Sequence, residues 1–410
     1  MAAPQTQLEI DGSNTTMAQE EALLARMEAE TSATVTVAGH SVGGLPIRCV
    51  SIGNADGPAL LVVTGQHGTE TRSREGVFQF LRDVAYSEDP AVLAALAEHR
   101  VVVIPTVNPD GLGTTYNNKN DININRGYLA LTQPEARAVF GVLSSLRPLI
   151  VYDAHESSSA VSTWQPLPSL RPDTHPDLTA ASVALLDDIN RQVTAEGWTT
   201  TPYPLDQYSW VAVGNMATNF HGIGLLGESS ASWPGTDRYV RAGLHRTAAH
   251  TALRWLHEHT EDLEAARAES ILAAVTSRAP VVIPDRANTG GTRTTPEPFT
   301  TANVSGYTLA EPIPQHLREA HGVVASDTFV SVQQEARAAV VALCDPASVH
   351  KVVSAARVPW PESGGGGWTP PPLPKGVPAG ASVQIGGIRR PVLGIYRRTG
   401  GASLPARITP

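Results

Sequence analysis

The chain has 410 residues, enough for one large domain and an appended one, and 41% hydrophobic with 17% charged residues is the make-up of a globular protein. A formal charge of −9 without any Lys/Arg block argues against a nucleic-acid or anionic-membrane surface, and no apolar stretch approaches the roughly 18 residues of a membrane span. Two cysteines, Cys49 and Cys344, give neither a disulfide framework nor a CxxC motif; with no leader in view, a cytoplasmic location is the default expectation.

Residues 1–20 are polar and are expected to be loose, and residues 21–30 read as a short helix. Ala33–Gly39 and Leu45–Gly53 read as a strand pair joined at Gly43-Gly44. Leu60–Gly65 and Val101–Thr106 are continuous apolar runs between turn residues, the pattern of buried central strands. Helical periodicity fills Arg74–Tyr86 and Ala91–Glu98, and returns over Gln133–Leu146, which Pro134 and Glu135 open. A strand over Ile150–Asp153 follows, then a long loop to about residue 176, a helix over Pro176–Glu196, a strand over Ile223–Gly227 and a long helix over Asp237–His259. Strands alternating with helices predict an α/β sheet covered on both faces, with ligands at the carboxyl ends of its strands. After about residue 276 Pro and Gly become frequent, and Ser363–Pro374 reads as a linker. Short patterned segments at 304–309, 327–343 and 383–396, with a helix near Pro314–His321, suggest a small, mostly β appendage. The expected division is therefore 1–20, 21–275 and 276–410.

The chemistry concentrates at two strand ends. His67-Gly-Thr-Glu70 follows the run from Leu60, and an imidazole and a carboxylate three residues apart can close on one metal ion from a single turn. Alone, Glu70 also fits the dipole-favoured start of a helix. His155 ends the second run, Leu149-Ile-Val-Tyr-Asp-Ala-His155, and supplies the third ligand that a catalytic zinc site needs. Asp153 shares a strand face with His155 and can support it, whereas Glu156 points to the other face and is not cast as the base. His175, His221, His245, His250, His257 and His259 lack ligand spacing along the chain and read as structural.

Further motifs arrive in order: Asn108-Pro-Asp-Gly111, Asn123-Ile-Asn125-Arg126-Gly-Tyr128, Gln133-Pro-Glu-Ala-Arg137, Asp153-Ala-His155-Glu156 and Leu225-Leu-Gly-Glu228. This series resembles the zinc carboxypeptidase family (carboxypeptidase A-like metallopeptidases), and within it a bacterial branch with D-x-N-R and D-x-H-E motifs. The resemblance covers about residues 45–260, and 304–356 is similar to the tail of that branch. It implies a mixed central sheet with helices on both faces. It also implies Zn2+ held by His67, Glu70 and His155, Glu228 as general base, and Asn125 with Arg126 gripping a substrate carboxylate. The Arg fork suits a carboxylate, and a Glu in a closed cleft can be tuned for proton transfer.

The departures are as specific as the matches. The family usually has Asp where Asn123 stands, hydrogen-bonded to the first zinc-binding His; an amide accepts that bond without supplying charge. Tyr116 stands where the family commonly has an oxyanion-stabilising Arg, so Tyr116 or Lys119 takes that role, the metal acts alone, or ordinary peptides are turned over poorly. Tyr208, in the stretch up to Met216, is a candidate substrate-pocket residue. The reading is a zinc-dependent hydrolase cleaving an amide bond next to a free carboxylate, most simply a metallocarboxypeptidase acting on a peptide or N-acyl amino acid. A small-molecule amidohydrolase or deacylase on the same scaffold and a degenerate zinc-binding module are the alternatives.

Overall fold

A computed structural model describes residues 3–276 except 129–130, 132, 159–160, 170–173 and 204–212, and beyond 276 only short strand segments. The chain opens with helices α1 (Gln7–Asp11) and α2 (Met17–Glu30), then strands β1 (Thr34–His40), β2 (Pro46–Gly53) and β3 (Ala59–Thr64). Helices α3 (Thr71–Ala85) and α4 (Pro90–Glu98) lead to β4 (Arg100–Ile104), α5 (Pro134–Leu146) and β5 (Ile150–Ser157). After β6 (Trp164–Pro168) come α6 (Pro176–Ala195), the short α7 (Val213–Met216), β7 (Ile223–Ser230) and α8 (Arg238–Thr276), which is kinked at His259.

These strands form one seven-stranded sheet in the order β1-β2-β4-β3-β5-β7-β6. The pairs β3/β4, β3/β5 and β5/β7 are parallel, and β1/β2, β2/β4 and β6/β7 are antiparallel, so the sheet is mixed. Every residue of β3 is buried, as its unbroken apolar run requires. Side chains alternate across the pleat. Leu60, Val62, Ile150, Tyr152 and Leu225 join the large core with residues of α2, α3, α6 and α8. The intervening residues, Asp153 and His155 among them, project to the opposite side, where Phe140 of α5 meets Phe220.

Two differences from the sequence reading have physical causes. Within the segment expected to be loose, Gln7–Asp11 is a helix with Leu8 buried, opened by a capping box between Thr6 and Glu9. Arg82 on α3 also pairs with Glu9 at 2.5 Å. Inside the expected long loop, Trp164–Pro168 is the last strand of the sheet; residues 199–203 run along its outer side, where Trp164 N donates to the Thr199 carbonyl and the Pro166 carbonyl accepts from Tyr203 N, so a proline serves there as an acceptor.

Beneath α3 lies a buried ionic network. The Arg74 guanidinium, with no exposure, donates to Glu20 (2.5 Å), Thr106 (2.6 Å) and the Thr15 carbonyl (2.6 Å), and Thr15 in turn donates to Glu75. It ties α2, α3 and the end of β4 together. In the C-terminal part, Val304–Thr308 pairs antiparallel with Phe329–Ser331 and Arg357–Pro359, and Ser382–Ile385 with Ile388–Pro391. The expected helix at Pro314–His321 and the linker 363–374 lie outside the described residues.

Candidate metal centre

The site assembles at the carboxyl ends of β3, β5 and β7. Gly65 ends β3 in the left-handed region (φ +66°), and a Cβ there would press on Pro105 and Thr106 at 3.1 Å, so the turn needs glycine. Two residues on, His67 is 4% exposed, and Glu70 closes the turn at the N-cap position of α3. Glu70 does not cap the helix. Its Oε1 lies 2.7 Å from His67 Nδ1 and its Oε2 2.8 Å from His155 Nδ1, and the two Nδ1 atoms are 3.2 Å apart. The α3 N–H groups are served from β5 instead: Glu156 Oε1 accepts from Arg72 N at 2.5 Å, and Glu156 also pairs with Arg241. The two acids have thus divided the roles, metal-facing for Glu70 and capping for Glu156.

Three buried ligand atoms converging on one point form a group that can hold a metal ion. The remaining nitrogens of the two imidazoles are each fixed. His67 Nε2 donates to Asn123 Oδ1 at 3.0 Å, which assigns the neutral amide the place that the resemblance gives to Asp. His155 Nε2 donates to Asp153 at 2.8 Å, and Asp153 itself accepts from Gln66 (2.5 Å) and Asn125 (3.2 Å). Such outer partners set the tautomer that aims Nδ1 at a cation. Burial acts upward on the Glu70 carboxyl, but His67 and His155 outweigh it and hold it down to about 2. Two imidazoles and one anionic carboxylate are a donor set for a borderline ion such as zinc.

Glu228 is the residue of β7 in register with His155 of β5, which brings its carboxyl to the same side of the sheet. It is 9% exposed, and its Oε2 has no hydrogen-bond partner among the described residues. Burial is the main cause that lifts it to about 8; Glu70 and Asp153 add to the rise, and His155 and Arg126 oppose it. Such a carboxyl exchanges protons near neutral pH.

The loop after β4 covers His67. Gly68 N donates to the Tyr116 carbonyl at 3.2 Å, and a Cβ on Gly68 would meet the carbonyls of Gly111 at 2.1 Å and Thr115 at 2.5 Å. Asn108 staples this loop, accepting from Gly111 N (3.0 Å) and donating to the Asn117 carbonyl (3.1 Å). The Tyr116 ring consequently stacks on His67, centroids 3.8 Å apart and 12° from parallel. Although the residue is 46% exposed, desolvation of its hydroxyl, then Glu70 and Glu228, raise the phenol above the ordinary range, so it stays protonated. Lys119 is exposed.

Arg126 lies near enough to Tyr116 and Glu228 to favour the charged form of both. Asn125 is turned inward: its amide donates to Asp153 and its Oδ1 accepts from Val213 N at 3.0 Å, with 1% exposure. Tyr208 lies outside the described residues. Sequence reading missed Gln66, which also accepts from Tyr128 at 2.6 Å. Its place directly before His67 is the one signal that could have drawn attention to it.

A mixed sheet with a two-histidine, one-carboxylate group at its strand ends and a protonatable acid alongside defines the class of metallopeptidase-like hydrolases. The family model described as zinc carboxypeptidase matches residues 20–142, which contain His67, Glu70, Asn125 and Arg126. Among solved structures, a metallo-carboxypeptidase from Burkholderia cenocepacia aligns over 60% of this chain and 69% of its own, with 18% identity and a TM-score of 0.53. A metallo-carboxypeptidase from Pseudomonas aeruginosa, in complex with (2-guanidinoethylmercapto)succinic acid, aligns over 60% and 69%, with 19% identity and a TM-score of 0.50. No curated protein matches. The family whose model matches residues 20–142 is the one that the motifs resemble, and the solved structures share the fold.

Proposed function

We propose that the protein is a zinc-dependent hydrolase that cleaves an amide bond next to a free carboxylate, as a metallocarboxypeptidase acting on a peptide or an N-acyl amino acid. The observation that carries this reading is the pairing of Glu228, raised to about 8, with the convergent His67, Glu70 and His155 across one strand register. His67, Glu70 and His155 would hold the zinc ion, which supplies Lewis acidity toward a carbonyl oxygen and acidifies water. Glu228 takes a proton from the attacking water and returns it to the amine that leaves, a transfer that its near-neutral pKa allows in both directions. Tyr116, protonated and stacked on His67, donates to the oxygen on which negative charge develops. Arg126 anchors the substrate carboxylate by charge-assisted hydrogen bonds. Asn125, expected to share that grip, has its amide engaged by Asp153 and its oxygen by Val213 N, and instead positions the His155 ring, 2.9 Å from its amide nitrogen.

The test compares peptides with a free and an amidated C-terminus, using zinc-loaded protein and measuring released amino acid. The acid is expected to be cleaved at least tenfold faster, since a charge-assisted hydrogen bond contributes about 1.5–3 kcal/mol. Arg126→Ala should abolish the difference. Equal rates on acid and amide with the unaltered protein overturn the exopeptidase reading.

A further inference from the structure

A second group of ligand atoms lies on the far side of the sheet, where α4 ends against α8. His99 follows the last residue of α4, and its backbone is fixed by bonds from its N–H to the Ala95 carbonyl (2.8 Å) and from Asn54 N to its own carbonyl (2.9 Å). Its ring is 2% exposed and meets the ring of His257 on α8 edge to face, centroids 5.4 Å apart. His99 Nε2 and His257 Nδ1 face each other at 3.3 Å, and Glu98 Oε2 lies 3.3 Å from the second and 3.8 Å from the first. Thr260 Oγ1 is 3.4 Å from His99 Nε2, just beyond the kink at His259.

The two separations of 3.3 Å are those of a coordination shell, and the one of 3.8 Å needs the exposed Glu98 carboxylate to close by a few tenths of an ångström. Zinc bonds of about 2.0–2.2 Å at tetrahedral angles put neighbouring ligand atoms about 3.3–3.6 Å apart. Two imidazole nitrogens that face each other need a proton or a cation between them, and here a carboxylate oxygen converges on the same point. We propose that Glu98, His99 and His257 form a second divalent-metal site, taking zinc or a similarly borderline ion, that pins the end of α4 to α8. Two imidazoles disfavour magnesium and calcium, which take oxygen ligands. Glu98 is two-thirds exposed, so a fourth position opens to solvent.

The test is zinc content per chain by metal analysis of the full-length protein after loading and desalting. The expected values are two for the unaltered chain, one for His67→Ala/His155→Ala, one for Glu98→Gln/His257→Gln and none for all four together. Zinc should also raise the Tm of His67→Ala/His155→Ala, and that rise should vanish once His257→Gln is added. Should the catalytic double variant fold poorly, Glu98→Gln/His257→Gln decides alone: it should lose one of two zinc ions while its turnover is unchanged. Undiminished zinc content in Glu98→Gln/His257→Gln overturns the proposal, and leaves a proton shared between the rings as the reason for their approach.

Discussion

At the residue scale the site is a set of substitutions within a recognisable frame, and each has a measurable consequence. Asn123 accepts from His67 without lending it charge, so Asn123→Asp should tighten zinc binding by roughly tenfold, the lower end of what such outer partners contribute; competition with a chelator measures it. Glu228→Gln should keep zinc and lower turnover by about 10²–10⁴-fold. Glu156→Gln is the contrasting case. It should leave turnover near that of the unaltered enzyme but lower the Tm, because α3 loses its capping acid and Arg241 its partner, a cost of at least ~1 kcal/mol. If Tyr116 is the oxyanion donor, Tyr116→Phe lowers kcat with KM little changed, by up to about 2.7–4 kcal/mol. That His67, Glu70 and His155 come together was legible because side chains one turn apart, or closing a strand, leave a local spacing. That Gln66 and Asn125 both turn to Asp153 was not legible, since those bonds follow from the neighbours in the sheet and not from distance along the chain.

At the level of elements, the HxxE turn is held between the start of α3 and the loop 108–118, with Gly68 at the point of closest approach. Gly68→Ala forces the Gly111 and Thr115 carbonyls away, and Tyr116 with them. Zinc content should be retained while turnover falls tenfold or more; unchanged turnover would mean that the stack on His67 has no part in the chemistry. Most helices and the central strands followed from periodicity, because long amphipathic faces and unbroken apolar runs are one-dimensional signals. The edge strand Trp164–Pro168 did not, because its two prolines mark a turn, and the partners that hold it, β7 and residues 199–203, are remote along the chain. Helix Gln7–Asp11 was too short for a periodic signal, although the Thr6-x-x-Glu9 pattern that caps it stood in the sequence.

The molecule as a whole rests on buried polar groups that are costly to break singly. Removing Glu20 leaves the buried Arg74 guanidinium with only the longer approach to Glu75 (3.8 Å), so Glu20→Ala should cost about 3 kcal/mol, the lower end for a broken buried pair, and lower the Tm by roughly 10 °C in thermal unfolding. His245 accepts from Tyr152 at 2.7 Å and donates to Ser229 at 3.0 Å behind the metal centre, and burial, then His155, hold it down to about 3. Its folded-state pKa is depressed, so the unfolded chain takes up the proton first. Its contribution is therefore present above about pH 6.5 and lost progressively as pH falls toward 3, a slope that should flatten in His245→Gln when denaturant midpoints are compared. The register that sets His155 beside Glu228 has its own reach, because it makes the chemistry depend on parity. Deleting one residue between Ile223 and Gly227 would carry Ser229 to the metal side and send the carboxyl of Glu228 into the apolar layer beside His245. Length is thus guarded more strictly than identity along this strand. Among descendants of this chain, changes of side chain on β7 should accumulate where gaps do not, and a gap there should mark a copy whose Glu228 no longer stands beside His155.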